Sequence, residues 1–207
     1  MIENMNWRYA TKKFDPEKRV DDVDLNRIKK VIQLSASSYG LQPYRVLCIE
    51  NPSLREKLKS ASWNQPQITD ASHLFVFCHY IKVRKEDIDA FIELKAKIQN
   101  KEINELDSYG SFINQKLSQK SDIEVAQWTA KQTYIALANL LTICAELKID
   151  ACPMEGFDPE LYDDILGLKD QNLSASVVAT IGYRLEDDQS QYLTKVRRPL
   201  DQLFEVI

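Results

Sequence analysis

The chain has 207 residues, 44% hydrophobic and 28% charged, which suits one compact domain with a full core and excludes disorder over most of its length. A formal net charge of −4 argues against nucleic acid as the principal partner, because contact with a phosphate backbone ordinarily shows as a basic face on a basic domain. Met1 to Asn6 carry an acid and two amides instead of an apolar signal, and the strongly apolar run Leu74 to Cys78 is too short to span a bilayer, so the expectation is a cytoplasmic protein with no membrane partner.

In chain order, the segment Arg8-Tyr9-Ala10-Thr11-Lys12-Lys13-Phe14 sets cations beside a hydroxyl. Asp15-Pro16 follows, and Asp21 or Asp22 then caps a helix with Leu25, Ile28, Val31 and Ile32 at helical spacing. That helix stops in the small, polar stretch Ser35 to Gly40, and Gln42-Pro43 leads into a buried strand over Tyr44 to Glu50. Asn51-Pro52 supplies a cap and a first-turn proline for the next helix. Ser62 to Ser72, rich in amides and broken by Pro66, reads as a loop or short helical turns before a second strand, Leu74 to Tyr80.

From Lys85 to about Leu117 the chain is charged and weakly amphipathic, a helical excursion lying over the domain. Ser121-Asp122-Ile123-Glu124 is a capping box opening a long helix to about Leu147. Tyr134 to Ala145 is apolar around most of its circumference, which fits either a subunit interface or a central core helix. Ala151 to Phe157 reads as a loop between helices, Asp158-Pro159 begins a short helix closing near Gly167, and Ser176 to Tyr183 is a third strand, apolar enough to be covered on both faces. A C-terminal arm from about residue 184 carries a second cationic cluster, Lys195-Val196-Arg197-Arg198. About seven helices and four short strands place the chain in the mixed α/β or α+β class.

Cys48, Cys78, Cys144 and Cys152 are widely separated, with only His73 and His79 as imidazole partners, so spacing suggests neither a zinc site nor a redox dithiol. Cys78 and His79, adjacent on a strand, point to opposite faces. The cations are better placed for chemistry. Arg8 and Lys12 share a face if their segment is helical, Lys195 and Arg197 share one if theirs is extended, and both pairs can then converge on one anion. With five glycines and no glycine-rich phosphate loop, side chains must cradle any nucleotide-like cofactor.

Taken together, Arg8 to Phe14, Ser35-Ala36-Ser37-Ser38-Tyr39-Gly40-Leu41-Gln42-Pro43-Tyr44, Asp70-Ala71-Ser72-His73, Trp128 to Tyr134, Pro153-Met154-Glu155-Gly156-Phe157 and Lys195-Val196-Arg197 resemble the FMN-dependent nitroreductases in family order, most nearly the oxygen-insensitive NAD(P)H nitroreductase and dihydropteridine reductase subgroup. The resemblance implies an α+β fold over residues 1–207, with a mixed central sheet of four to five strands surrounded by helices, in an intertwined homodimer. It implies that Arg8, Ala10, Lys195 and Arg197, with Tyr9 beside them, surround the FMN phosphate and ribityl chain, while Lys12 and Asn64 reach the pyrimidine edge of the flavin. Lys12 would then stabilise the negative charge of the reduced ring.

Pro153, Met154, Glu155 and Gly156 would pack against one ring face, with a backbone N–H from Glu155 or Gly156 aimed at N5, and Ser37, Ser38 and Gly40 would contact the FMN held by the partner subunit. Tyr39 and Phe112 are placed near the open substrate face. Two departures stand out: Ala36 and Gly40 replace a proline and an asparagine common in the subgroup, and Gln67 replaces a lysine near the flavin edge. The implied activity is ping-pong transfer of hydride from NADH or NADPH to FMN and on to a nitroaromatic, quinone, pterin or related planar acceptor, without metal. A flavin carrier or sensor lacking turnover is the alternative.

Overall fold

A computed structural model describes residues 1–207. In chain order its main elements are α1 (Ile2–Trp7), α2 (Asp22–Gln33), β1 (Tyr44–Ile49), α3 (Pro52–Ser60), α4 (Gln67–Asp70), β2 (His73–Tyr80), α5 (Lys85–Gln99), α6 (Asp107–Ser118), α7 (Asp122–Glu146), β3 (Asp150–Met154), α8 (Pro159–Leu166), β4 (Leu173–Gly182) and α9 (Leu200–Leu203). Most helix starts follow the capping residues. Asp21 accepts the Asp24 N–H, Asn51 the Leu54 N–H, and Asp158 the N–H groups of Glu160 and Leu161. Ser121 and Glu124 close the reciprocal capping box. Gly167, at φ +61°, ends α8 in the left-handed conformation that costs glycine nothing.

Four strands form one sheet in the order β1-β2-β4-β3, with every strand pairing antiparallel. The strand count agrees with the expected four to five, but the sheet is not mixed: its one parallel contact is an isolated bridge between Ala10 and Ala151. The expected interhelical loop over Ala151 to Phe157 is in fact mostly strand, and only Glu155 onward leaves the sheet. β3 tolerates Pro153 because it is an edge strand, where the missing N–H withdraws no bond from the ladder's interior.

Both sheet faces are covered, as the apolar strands require. One face packs Leu74, Val76, Cys78 and Val178 against Leu58, Ile68, Phe157 and Tyr162; the other packs Phe75, Phe77, Val177 and Ile181 against Ile28, Ile32, Leu140 and Cys144. α7 is therefore a core helix along one side, burying Val125, Thr129, Ala136, Leu137, Leu140 and Cys144, while Tyr134 and Ile135 on its opposite side are each 41% exposed. The helical excursion forms its own small core from Ile88, Ile92, Ala96, Leu106, Ile113 and Leu117, with the α5–α6 connection closed by a 3-10 turn. The C-terminal arm lies outside these cores, leaving Leu200, Leu203 and Phe204 exposed. No helix is long and apolar enough to cross a membrane.

Candidate functional site

Arg8 ends α1 with φ −69° and ψ 143°, and the chain continues extended, so the expected helical face joining Arg8 to Lys12 does not exist. Strand-like alternation replaces it. Arg8 and Lys12 both lie near Cys152 on β3, and Ala10 between them makes the bridge to Ala151. The alternate residues turn the other way: the Tyr9 hydroxyl donates to Asp188 at 2.9 Å, and the Thr11 hydroxyl to Asp150 at 3.4 Å.

Asp188 fixes this segment. It is 2% exposed and accepts the Lys12 N–H at 2.8 Å and the Lys13 N–H at 3.2 Å as well as the Tyr9 hydroxyl, and its second oxygen takes the Ser190 N–H at 3.0 Å. Burial alone pushes its carboxyl up, but the Lys12 N–H, the Tyr9 hydroxyl and the other donors outweigh burial and hold it below its ordinary value. Burial, followed by the bond to Asp188, drives the Tyr9 phenol upward. Arg184 closes the same corner, pairing with Asp150 at 2.5 Å and lying over the rings of Trp7 at 4.4 Å and Tyr9 at 4.6 Å.

Arg8, Lys195 and Arg197 converge as the two cationic clusters anticipate. Burial lowers the Arg8 guanidinium below its ordinary value, with repulsion from Arg197 adding to it; burial lowers the Lys195 ammonium, with Arg8 and Arg197 adding to it. None of the three forms an ion pair, and Arg8 Nε is buried without a hydrogen-bond partner. Lys195 does more than present a charge. Its ammonium donates to the carbonyl oxygens of Met5, Asn6 and Arg8 and so fastens the arm across the start of the chain.

Beside this cluster β3 runs out at Met154. Gly156 passes so close to the Trp63 ring that an added Cβ would lie 2.9 Å from it, and the Gly156 carbonyl accepts from Gln65 Nε2 at 2.7 Å. Trp63 and Asn64 both have positive φ, 54° and 56°, which turns this loop toward Gly156. The Tyr134 hydroxyl on α7 donates to the Glu155 carboxylate at 2.5 Å, and burial, then that bond, push the phenol up to about 12. Tyr134, Leu137, Pro153, Met154, Glu155 and Val177 line a cavity of about 320 Å³. Gln67 is 4% exposed within α4, and its Oε1 has no hydrogen-bond partner.

The structure does not bring Ser37, Ser38 and Gly40 into this group. The Ser38 N–H donates to Gln132 on α7, Ser37 Oγ accepts from the Gln42 N–H, and Gly40 takes φ +75° near Phe91. Tyr39, at φ 59°, meets Phe112 edge-on at 6.2 Å and Trp128 at 5.9 Å, while its carbonyl accepts from the Tyr109 hydroxyl. This loop thus belongs to the helical excursion within one chain. Sequence reasoning missed Asp188, Arg184, Trp63, Gln65 and Tyr134. Only Trp63, a tryptophan in an amide-rich loop, carried a visible signal; Asp188 lies in the ordinary polar run Glu186-Asp187-Asp188-Gln189.

Comparison with known proteins gives the family. The model of the nitroreductase family matches residues 5–183. The chain is 36% identical over 215 residues to a Staphylococcus haemolyticus protein named "Putative NAD(P)H nitroreductase", covering 100% of this chain and 97% of that protein. It is 30% identical over 216 residues to the major NAD(P)H-flavin oxidoreductase of Aliivibrio fischeri, covering 100% and 98%. A protein of Exiguobacterium sibiricum solved in complex with FMN has the same fold, with a TM-score of 0.85 at 17% identity, covering 100% of this chain and 96% of that one. The chain belongs to the nitroreductase family.

Proposed function

We propose that this protein is an FMN-dependent NAD(P)H oxidoreductase of the nitroreductase type. The observation that carries the reading is the convergence of Arg8, Lys195 and Arg197 without a counter-ion, with Arg8 Nε buried and unpartnered. Like charges gathered at one place are costly unless an anion joins them, and a phosphate monoester has the charge and acceptor oxygens to do so. Gln67 Oε1 is a second buried polar atom lacking a partner, and Gly156 leaves room for close backbone approach. These features fit FMN.

FMN supplies hydride acceptance from NADH or NADPH and donation, after nicotinamide departs, to a planar nitroaromatic, quinone or pterin acceptor in ping-pong order. Arg8 and Arg197 bind the phosphate, and Lys195 holds the arm that delivers Arg197. Asp188 fixes the extended path of Tyr9, Ala10 and Lys12, so Lys12 is presented to the electron-rich edge of the ring with Asn64. Pro153 to Gly156 form a wall along one ring face. The Ser37-Ser38-Tyr39-Gly40 loop and Phe112 serve the site of a second subunit in a homodimer. The exposed Leu200, Leu203 and Phe204 of the arm, and Ile135 on the open side of α7, support that assembly.

Lys195→Ala combined with Arg197→Ala should lose FMN on dialysis under conditions in which the parent protein stays yellow. Undiminished flavin in the double variant would remove the phosphate site. Anaerobic NADH or NADPH should bleach the flavin of the parent protein; colour that persists with both nicotinamides would instead make it a flavin carrier or sensor.

A further inference from the structure

We propose that Cys48, Glu50 and His73 form a metal site for a thiolate-binding divalent ion of the zinc class, with one coordination position left open. Cysteine spacing alone conceals it, and the sheet register assembles it. Cys48 lies opposite Phe75 in the β1–β2 ladder and Ile49 opposite Leu74, so the same register continued brings Glu50 opposite His73. Cys48 and Glu50 are two residues apart on one strand, as are Phe75 and His73 on the other; alternation therefore sends all three candidate ligands to one face of the sheet. Their ligand atoms lie within 4.8 Å of one another.

Ligand atoms around a tetrahedral metal with bonds of about 2.0–2.3 Å stand roughly 3.3–3.8 Å apart. Most of the required closure falls to Glu50, whose side chain is 58% exposed, while His73 is fixed in place. The imidazole is 4% exposed, and its Nδ1 lies 2.9 Å from Ser72 Oγ, which also accepts the Val20 N–H at 2.8 Å. Metal binding at Nε2 requires the tautomer with the proton on Nδ1, donated to the Ser72 hydroxyl oxygen, and the lone pair on Nε2. Nε2 makes no hydrogen bond of its own: Glu50 Oε1 is 3.8 Å away, beyond hydrogen-bond reach. Ser72 thus orients the imidazole as an outer partner orients a metal-bound histidine.

The surroundings select among ions. Arg19, Lys29 and Arg55 stand near the cluster, and their charge disfavours a cation. A hard ion that binds oxygen weakly gains too little here, whereas zinc or cobalt recovers the difference through the sulfur bond. Cys48 also lines a groove of about 450 Å³ with Lys29, Gln33 and Tyr44, which gives an ion and a further ligand a way in. β1 is the sheet edge opposite β3, so this cluster lies across the sheet from Arg8 and Cys152.

The test uses the purified, flavin-loaded protein titrated with Co²⁺ and followed at wavelengths to the red of the flavin bands, where tetrahedral cobalt–thiolate sites absorb. One Co²⁺ per chain should bind with that spectrum, Zn²⁺ should displace it, and Mg²⁺ should not. Cys48→Ser should abolish the signal, Glu50→Gln should weaken Zn²⁺ binding, and Ser72→Ala should weaken it by about tenfold through loss of histidine orientation. Cys48→Ser and Glu50→Gln alter half-buried and exposed positions, and circular dichroism confirms that each variant is folded. No stoichiometric cobalt spectrum, or the same spectrum in folded Cys48→Ser, would overturn the site.

Discussion

Asp188→Ala tests how the cationic segment is held. The substitution strips the acceptor from the Tyr9 hydroxyl and from the N–H groups of Lys12, Lys13 and Ser190, bonds of 2.8–3.2 Å to a carboxylate that is 2% exposed. A hydrogen bond to a charged group contributes about 1.5–3 kcal/mol, and donors near the surface recover part of that from water. Counting the equivalent of two full bonds gives a loss of about 3–6 kcal/mol, a large share of the ~5–15 kcal/mol that holds a typical domain together. Asp188→Asn keeps one acceptor oxygen but directs an N–H₂ at neighbouring donors, and should lose about half as much. Guanidinium unfolding of both variants gives the stabilities, and flavin retained after dialysis shows whether the segment still presents Arg8. A loss under about 1 kcal/mol in Asp188→Ala, with flavin fully retained, would refute the idea that this carboxylate organises the site.

Acidification isolates the same group. The folded Asp188 carboxyl is held below its ordinary value, so its contribution is fully present above the unfolded-chain value of about 3.9 and disappears as pH falls through the folded value. The stability gap between parent and Asp188→Asn should therefore narrow below about pH 4, as measured by urea unfolding at several pH values. Arg184→Ala leaves the Asp150 carboxylate, 4% exposed, without its cation and should cost about 3–5 kcal/mol in the same assay, with Arg184→Lys intermediate because stacking on Trp7 and Tyr9 is lost. Gly182→Ala would set a Cβ 3.0 Å from both Phe14 Cδ1 and the Ser72 backbone nitrogen, and should lower the denaturation midpoint by the equivalent of about 1–3 kcal/mol.

Local chemistry was legible wherever one residue decides it. Asp21, Asn51-Pro52, Ser121 with Glu124, and Asp158-Pro159 each mark a helix start that the structure contains. β3 was not legible, because Pro153 and the nearby glycine resemble a loop unless the strand is known to be an edge. The meeting of Arg8 with Lys195 and Arg197 was anticipated, but by the wrong local geometry: the first segment is extended, and the same side chains reach the same neighbour by alternation instead of helical spacing. Asp188 and Arg184 were invisible because their partners lie on segments more than thirty residues away, and an acid in a polar run looks like any solvated acid. Gln67 stands in the sequence where the resemblance expects a lysine near the flavin edge; only the packing of α4 reveals it as buried with its acceptor unused.

The hydrogen bond from Lys195 to the Arg8 carbonyl joins residues 187 positions apart. A ribosome makes Arg8 first and must add all four strands of the sheet before Lys195 exists to meet it. A nascent chain can thus bury both faces of its sheet before the two cationic clusters meet, and with the proposed phosphate site flavin capture would be one of the last events of its biogenesis, open only to chains translated past Arg197.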